Sequence, residues 1–190
     1  MAVKKFILLG IFLLGLLMFY PEASQLTNSF VPKMNSHLIH KEISINLPSS
    51  MQVLENPMED QEQLIFSASL NDEHYALRGY IQIWQINDLA DYLQKSKEIS
   101  PFDFYTYSLN PTQVNNLQGY VNSWGASFGQ LTKISGLEYW LNTPHNKVLR
   151  LAFLTSNPSF NDDQQKIIQY ILSTVSCPEA ALKIDYTIKG

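Results

Sequence analysis

The feature that most constrains this chain is an uncharged apolar run near its N-terminus, preceded by Lys4 and Lys5. Residues 6–20 carry no charge and no polar group except one tyrosine hydroxyl. A charged side chain at the centre of a bilayer costs about 2.5–3.5 kcal/mol, whereas Leu, Ile and Phe are favoured there. The run therefore predicts a membrane-inserting helix, and the two lysines, retained on the cytoplasmic side, predict export of the rest of the chain. The predicted membrane segment comprises Phe6, Ile7, Leu8, Leu9, Ile11, Phe12, Leu13, Leu14, Leu16, Leu17, Met18, Phe19 and Tyr20.

The sequence leaves open whether this segment is removed. A helix of fifteen residues spans roughly 22 Å, less than a hydrocarbon core of about 30 Å, which favours a cleavable signal peptide. The following junction contains Pro21 and Glu22 where signal peptidase requires small residues, which favours an uncleaved anchor. No cysteine directly follows the run, so a lipoprotein anchor is excluded. The chain is predicted to lie on the extracytoplasmic face of a membrane or to be secreted.

Composition narrows the partners of the exported part. Without residues 1–24 the chain keeps 11 of its 13 basic and 16 of its 17 acidic residues, a net charge of −5. The scattered lysines form no basic stripe, so nucleic acid is not expected as a partner. Cys177 is the only cysteine, so no intramolecular disulfide can form and the domain must be stabilised by its core.

Hydrophobic periodicity predicts the secondary structure that follows a polar tether over residues 25–41. Residues 43–47 alternate with period two and are ended by Pro48, which predicts a half-buried strand. A second strand is predicted over residues 64–70. Residues 75–86 carry apolar side chains on both faces, which predicts a strand covered on both sides. Asn87 is the predicted N-cap of a helix that buries Leu89 and Leu93.

The second half of the chain is predicted to contain one strand over residues 113–128, a hairpin and a closing helix. In the hairpin, pairing Leu141 with Lys147 places Glu138 directly opposite Arg150, a cross-strand ion pair. Asn161 is the predicted N-cap of the closing helix. The tail, residues 178–190, alternates over Leu182–Ile188 and predicts an added edge strand.

This order of elements resembles the PsbP/Mog1-like group, in which an antiparallel sheet lies between helices. The matching features are the strand ended by Pro48, the strand and helix over 75–97, the late hairpin and the closing helix near 164–174. The resemblance covers roughly residues 42–177 and implies an α+β fold. It implies an antiparallel sheet of about five to seven strands flanked by helices, an α/β/α sandwich preceded by the N-terminal apolar helix. Members of the group look mostly like non-catalytic binding or assembly modules, and no functional residue is carried over.

Common catalytic and metal-binding patterns are not expected from this sequence. His37 and His40 are three residues apart but have no further ligand nearby, so no metal or other cofactor is predicted. The chain has no nucleophile elbow, no glycine-rich phosphate loop and no His-Glu-x-x-His sequence. Acidic pairs such as Glu59 and Asp60 are adjacent in sequence and are typical of turns. An enzyme is therefore not predicted.

Two sets of residues are candidates for ligand binding. Phe102, Phe104, Tyr105 and Tyr107 follow a proline after the first helix, where they form either a ligand-facing aromatic wall or a cap on the core. Arg78 and Arg150 are the only arginines and both fall in predicted strands. They either pair with carboxylates, as Arg150 does with Glu138, or together offer an anion site on the sheet.

These observations favour a non-enzymatic extracytoplasmic module, held at a membrane through residues 6–20 or secreted, that binds a protein or another envelope component. Two alternatives remain. One is a small-ligand or lipid carrier that uses the aromatic residues 102–107. The other is a hydrolase with an unrecognised site.

Sequencing the N-terminus of the mature protein tests the two forms of attachment. A chain that begins at Ser24 or Gln25 would contradict the anchor, and a chain that retains Lys4 and Lys5 would contradict the signal peptide. Both forms require the domain after residue 24 to lie outside the cytoplasm.

Overall fold

The computed structural model describes residues 32–57, 63–128, 132–144 and 146–178. These residues form nine strands and two helices, and within them no helix is long and apolar enough to span a bilayer. The predicted N-terminal helix and the predicted edge strand over Leu182–Ile188 lie outside the described residues. The strands are β1 (Met34–Ile39), β2 (Ile43–Pro48), β3 (Gln52–Glu55), β4 (Leu64–Asp72), β5 (Leu77–Trp84), β6 (Asp103–Val114), β7 (Leu117–Phe128), β8 (Thr132–Thr143) and β9 (Lys147–Thr155). The helices are α1 (Leu89–Glu98) and α2 (Asp162–Thr174).

Seven of the strands form one antiparallel sheet in the order β3-β4-β5-β9-β8-β7-β6. β1 and β2 pair with each other as a separate two-stranded sheet. The prediction of an antiparallel sheet with helices is thereby confirmed. The strands β5, β9 and β8 occupy the middle of the large sheet. β9 and β8 bury side chains on both faces, whereas β5 buries one face and leaves Arg78 and Tyr80 exposed on the other. The predicted coverage of this strand on both sides was therefore wrong at these two residues.

One face of the large sheet forms the main core. Because strand side chains alternate, every second residue of β5 and β9 points to this face, and these residues are buried. The helix α2 and the strand β2 cover them. The buried residues of this core include Ile45, Leu47, Leu77, Ile81, Ile83, Leu149, Leu151, Phe153, Ile167, Ile168 and Ile171.

The helix α1 buries its apolar residues in a second, smaller cluster. Leu89 and Leu93 pack there with Ile86, Trp140 and Val148. Trp140 and Val148 alternate with residues of the main core, so α1 lies on the opposite face of the sheet from α2. The N-cap of α1 is Asp88, whose carboxylate accepts from the Asp91 backbone N–H at 3.0 Å. The predicted cap at Asn87 was therefore wrong by one residue.

The N-terminus of α2 confirms the predicted cap at Asn161. The Asn161 side chain accepts from the Gln164 backbone N–H, and the Gln164 side chain accepts from the Asn161 backbone N–H, which is a capping box. Gln164 is fully buried, and its amide also donates to the carbonyl groups of Tyr75 and Ala76. These bonds attach the start of α2 to the turn before β5.

The observed register of the β8–β9 hairpin differs from the predicted register by two residues. Lys147 lies opposite Thr143 rather than Leu141, and Glu138 lies opposite Ala152 rather than Arg150. A shift of two residues keeps every side chain on its predicted face, because the side-chain period of a strand is two. Glu138 and Arg150 therefore still meet, as diagonal neighbours.

Two further predictions about the chain were wrong. Part of the predicted tether, Met34–Ile39, is the strand β1, in which three consecutive polar residues, Asn35, Ser36 and His37, interrupt the alternation of polar and apolar side chains. The single strand predicted over 113–128 is the end of β6, a turn and β7. At that turn Asn115 has φ 54°, a left-handed conformation that asparagine tolerates better than most residues.

The burial pattern predicts a large difference between two leucine truncations. Leu151→Ala, in the central strand β9, removes a fully buried side chain, and the free energy of unfolding should fall by about 2–5 kcal/mol. Leu54→Ala, in the edge strand β3, removes a side chain that is 70% exposed, and the change should stay within about 0.5 kcal/mol. Urea denaturation measures both. Similar losses for the two variants would contradict this arrangement of the sheet.

Candidate functional site

All three tryptophans of the chain lie on the α1 face of the sheet, and each follows a polar residue by two positions. Residues two apart in a strand share a face, so each pair presents an indole beside a hydrogen-bonding group. The strands β5, β7 and β8 carry these pairs. This pattern is visible in the sequence and was missed by the sequence-based prediction. The pairs are Gln82 with Trp84, Asn122 with Trp124, and Glu138 with Trp140.

The Glu138 carboxylate is the centre of a buried hydrogen-bond network. Trp124 Nε1 donates to Oε1 at 2.8 Å, and Trp140 Nε1 donates to Oε2 at 3.1 Å. Arg150 supplies the opposite charge, with Nε 3.1 Å and a terminal nitrogen 3.0 Å from Oε2. Both oxygens of Glu138 are therefore engaged, as a buried carboxylate requires.

Arg150 extends this network to β5. Its other terminal nitrogen donates to Gln82 Oε1 at 2.9 Å, and the same oxygen accepts from Trp84 Nε1 at 3.2 Å. The guanidinium group also lies 4.8 Å from the centroid of the Trp140 ring, within the range of a cation–π interaction. All three indole N–H groups are thus bonded, and the side chains of the network come from β5, β9, β8 and β7.

Three of the four predicted aromatic residues meet beside this network. The Phe102 ring stacks on Trp124 with centroids 5.7 Å apart, and Phe104 contacts Trp124 and Tyr107 edge to face at 5.8 and 5.4 Å. We call Phe102, Phe104, Tyr107 and Trp124 the aromatic wall. These rings are partly or almost fully buried.

A bulge in β6 gives the aromatic wall its composition. The pairing with β7 shifts between Phe104 and Thr106, so Phe104 and Tyr107 share a face although they are three residues apart. Tyr105 points to the opposite face, where its ring lies over Gly125, and it is 46% exposed. The predicted group of four is therefore divided between the two sides of the sheet.

The network and the aromatic wall enclose a cleft of about 180 Å³ beneath the end of α1. Lys97 lies at its rim, with Nζ 4.5 Å from the centroid of the Tyr107 ring. Burial, and to a smaller extent the Glu138 carboxylate, raise the pKa of the Tyr107 hydroxyl. The cleft is lined by Trp84, Tyr92, Leu93, Ser96, Lys97, Ser100, Phe102, Phe104, Tyr107, Asn122, Trp124, Glu138, Trp140 and Arg150.

Asn122 is the polar residue of the cleft whose hydrogen-bonding capacity is unfilled. The residue is 8% exposed, and its Oδ1 atom is buried with no donor among the described residues. A buried amide normally has a partner, because leaving it unpaired costs about 1–3 kcal/mol. The Oδ1 atom is therefore available to accept a hydrogen bond from a bound group or a water molecule.

Gly136 makes room for the Trp124 indole on the neighbouring strand. A Cβ atom at this position would lie 2.2 Å from Trp124 Cε2, so any other residue would displace the ring. The glycine is thus required by the packing of the aromatic wall.

The remaining sequence candidates do not lie in the cleft. Arg78 is exposed near the start of β5 and does not line the cleft, whereas Arg150 does. Burial, and secondarily Glu42, raise the pKa of the Cys177 thiol, which makes it a poor nucleophile. Within the described ranges no three His, Cys, Asp or Glu side chains form a group that could hold a metal ion.

Comparison of the sequence with models of known protein families gave no match, and comparison with curated proteins gave none. The geometry of the cleft therefore carries the functional argument.

The network predicts that Glu138→Gln is strongly destabilising. The amide of the variant leaves the partly buried Arg150 without its counter-charge. It also offers one acceptor oxygen, whereas the carboxylate offers two to the N–H donors of Trp124, Trp140 and Arg150. The free energy of unfolding should fall toward the lower end of about 3–5 kcal/mol, because Arg150 keeps some contact with water.

Asp163→Asn is the matched control, since Asp163 and its partner Lys166 are both more than three-quarters exposed. Its free energy of unfolding should change little. Equal effects of the two variants in urea denaturation would show that the Glu138 network does not stabilise the fold.

Proposed function

We propose that this chain is a non-enzymatic binding module of the extracytoplasmic face, and that the cleft beside the aromatic wall receives a group of its protein or envelope partner. The observation that carries the proposal is the combination of a hydrogen-bonded polar floor with an aromatic wall and an unpaired amide oxygen. Recognition sites are concave, largely apolar and equipped with a few fixed polar groups. Aromatic and arginine side chains also dominate the energetics of protein interfaces.

The size of the cleft favours recognition of one side chain or one small group. At about 180 Å³ it is smaller than the roughly 300–1,000 Å³ of sites that enclose a whole drug-sized ligand. A larger partner would insert one group here and rest the remainder on the surrounding surface. That mode is typical of an interaction module.

A small-ligand carrier is the second candidate function. A carrier that uses residues 102–107 needs a cleft that opens beside them, and this cleft is lined by Phe104. The volume favours a ligand with a single ring over a lipid. We prefer the interaction module because a carrier is expected to enclose most of its ligand.

Catalysis is less well supported than binding by the groups in the cleft. Glu138, the only carboxylate that lines it among the described residues, accepts N–H donors at both oxygens and is held in an ion pair with Arg150, which suits a structural role better than that of a general base. A hydrolase would need a base within reach of a nucleophile.

The proposed location and fold group follow from the sequence. The apolar run after Lys4 and Lys5 supports a domain outside the cytoplasm, held by an uncleaved anchor or released after cleavage. The antiparallel sheet with one helix on each face agrees with the α/β/α sandwich expected of a PsbP/Mog1-like module.

Cross-linking of partners in intact cells tests the proposal, with Phe104→Ala and Tyr105→Ala as a matched pair. The two aromatic residues are adjacent in sequence but lie on opposite faces of the sheet, and Phe104 lines the cleft. The tagged full-length chain is cross-linked, solubilised and purified, and its partners are identified. We expect Phe104→Ala to lose a partner that Tyr105→Ala retains. Recovery of the same partners by both variants would exclude the cleft as the binding site.

A further inference from the structure

The charges around the cleft select the sign of a bound group. Lys97 and Arg150 line the cleft with two positive charges, whereas Glu138 supplies one negative charge. That carboxylate already forms an ion pair with Arg150 and accepts hydrogen bonds from two indoles. An aromatic site with an excess of positive charge disfavours a cationic ligand, although aromatic rings alone would attract one. A neutral or anionic ligand is therefore favoured.

Several donors in the cleft remain available to an anion. Arg150 uses at most three of its five N–H groups on Glu138 and Gln82, which leaves two. Lys97 is exposed at the rim, and its ammonium group lies over the Tyr107 ring and forms no ion pair with a carboxylate of the described part of the chain. The Asn122 Oδ1 atom has no donor among the described residues, and rotation of the amide by half a turn places the NH₂ group there as a donor to a bound molecule. A carboxylate accepts from all three types of donor.

The aromatic wall and the volume of the cleft determine which kind of apolar group a ligand can place there. Phe102, Phe104, Tyr107 and Trp124 present flat aromatic faces and edges, which pack best on another planar ring. A cavity of about 150 Å³ is large enough for benzene, so 180 Å³ suits one ring with a short substituent.

We propose that the cleft binds an aromatic carboxylate, with the ring against the aromatic wall and the carboxylate near Lys97, Arg150 and Asn122. Two sources share this chemistry: a free aromatic acid, and the C-terminal aromatic residue of a partner polypeptide. The second source rests on the proposed function, since it identifies the group that a protein partner inserts. The first would make the same cleft the site of a small-ligand carrier.

Titration of the purified full-length chain in detergent micelles tests this inference, and tryptophan fluorescence is a direct readout because all three indoles line the cleft. The matched probes are N-acetylphenylalanine and its amide, which share a ring and differ in the carboxylate. We expect the acid to bind about tenfold more tightly than the amide, because charge-assisted hydrogen bonds are lost in the amide. Equal affinities would overturn the role of the carboxylate.

Two comparisons separate the ring from the charge. Benzoate should bind more tightly than cyclohexanecarboxylate, which has the same charge but no aromatic face; equal binding would overturn the role of the wall. Lys97→Gln should weaken the acid about two- to fivefold and leave the amide unchanged. Lys95→Gln is the control, because Lys95 pairs with Asp91 on the same helix and does not line the cleft. Equal losses in the two lysine variants would contradict the assignment of Lys97.

The source is decided by comparing benzoate with a short peptide that ends in phenylalanine, each with a free carboxylate. Tighter binding of the peptide supports a polypeptide C-terminus, and tighter binding of benzoate supports a free acid. If no acid binds while Phe104→Ala still loses a cross-linked partner, the inference fails and the proposed function stands. If acids bind but Phe104→Ala loses no cross-linked partner, the proposal of a protein partner is contradicted and the proposal of an acid-binding site is kept.

Discussion

The Glu138 carboxylate imposes the strongest constraint on this structure. A buried charge is tolerated only where hydrogen bonds and an opposite charge replace the water it has lost. Here the compensation comes from Arg150, Trp124 and Trp140, which lie on three neighbouring strands. The need to satisfy one carboxylate therefore fixes the orientation of two indoles and a guanidinium group. The floor of the cleft follows from that arrangement.

The two faces of the large sheet have different roles in the domain. On one face α2 and β2 bury a continuous aliphatic core that supplies most of the stability. On the other face the shorter helix α1 covers only part of the sheet, with a small cluster around Leu93 and Trp140. The uncovered part holds the polar network and the aromatic wall. A stable core on one side thus permits a polar, incompletely covered surface on the other.

Sequence periodicity predicted which side chains share a face better than it predicted which strands are neighbours. The faces of β5 and the contact of Glu138 with Arg150 follow from a period of two, which a register error of two residues leaves intact. The cleft depends on the strand order β5-β9-β8-β7, which long-range pairing determines and local pattern does not reveal. The polar-x-Trp pairs become meaningful only when that order brings their faces together.

Local irregularities account for the other differences. A pattern of alternation places Phe104 and Tyr107 on opposite faces, but the bulge in β6 inserts one residue and turns both into the cleft. The strand β1 escaped prediction because it carries Ser36 and His37 and buries little of its surface. In both places the backbone follows tertiary pairing that hydrophobicity alone does not report.

The most direct test of the network is hydrogen exchange at the three indole N–H groups, followed by nuclear magnetic resonance on the ¹⁵N-labelled chain. We expect three slowly exchanging indole signals, with those of Trp124 and Trp140 shifted together when Glu138 is replaced by glutamine. Exchange of either signal at the rate of a solvent-exposed indole would contradict the buried Glu138 network.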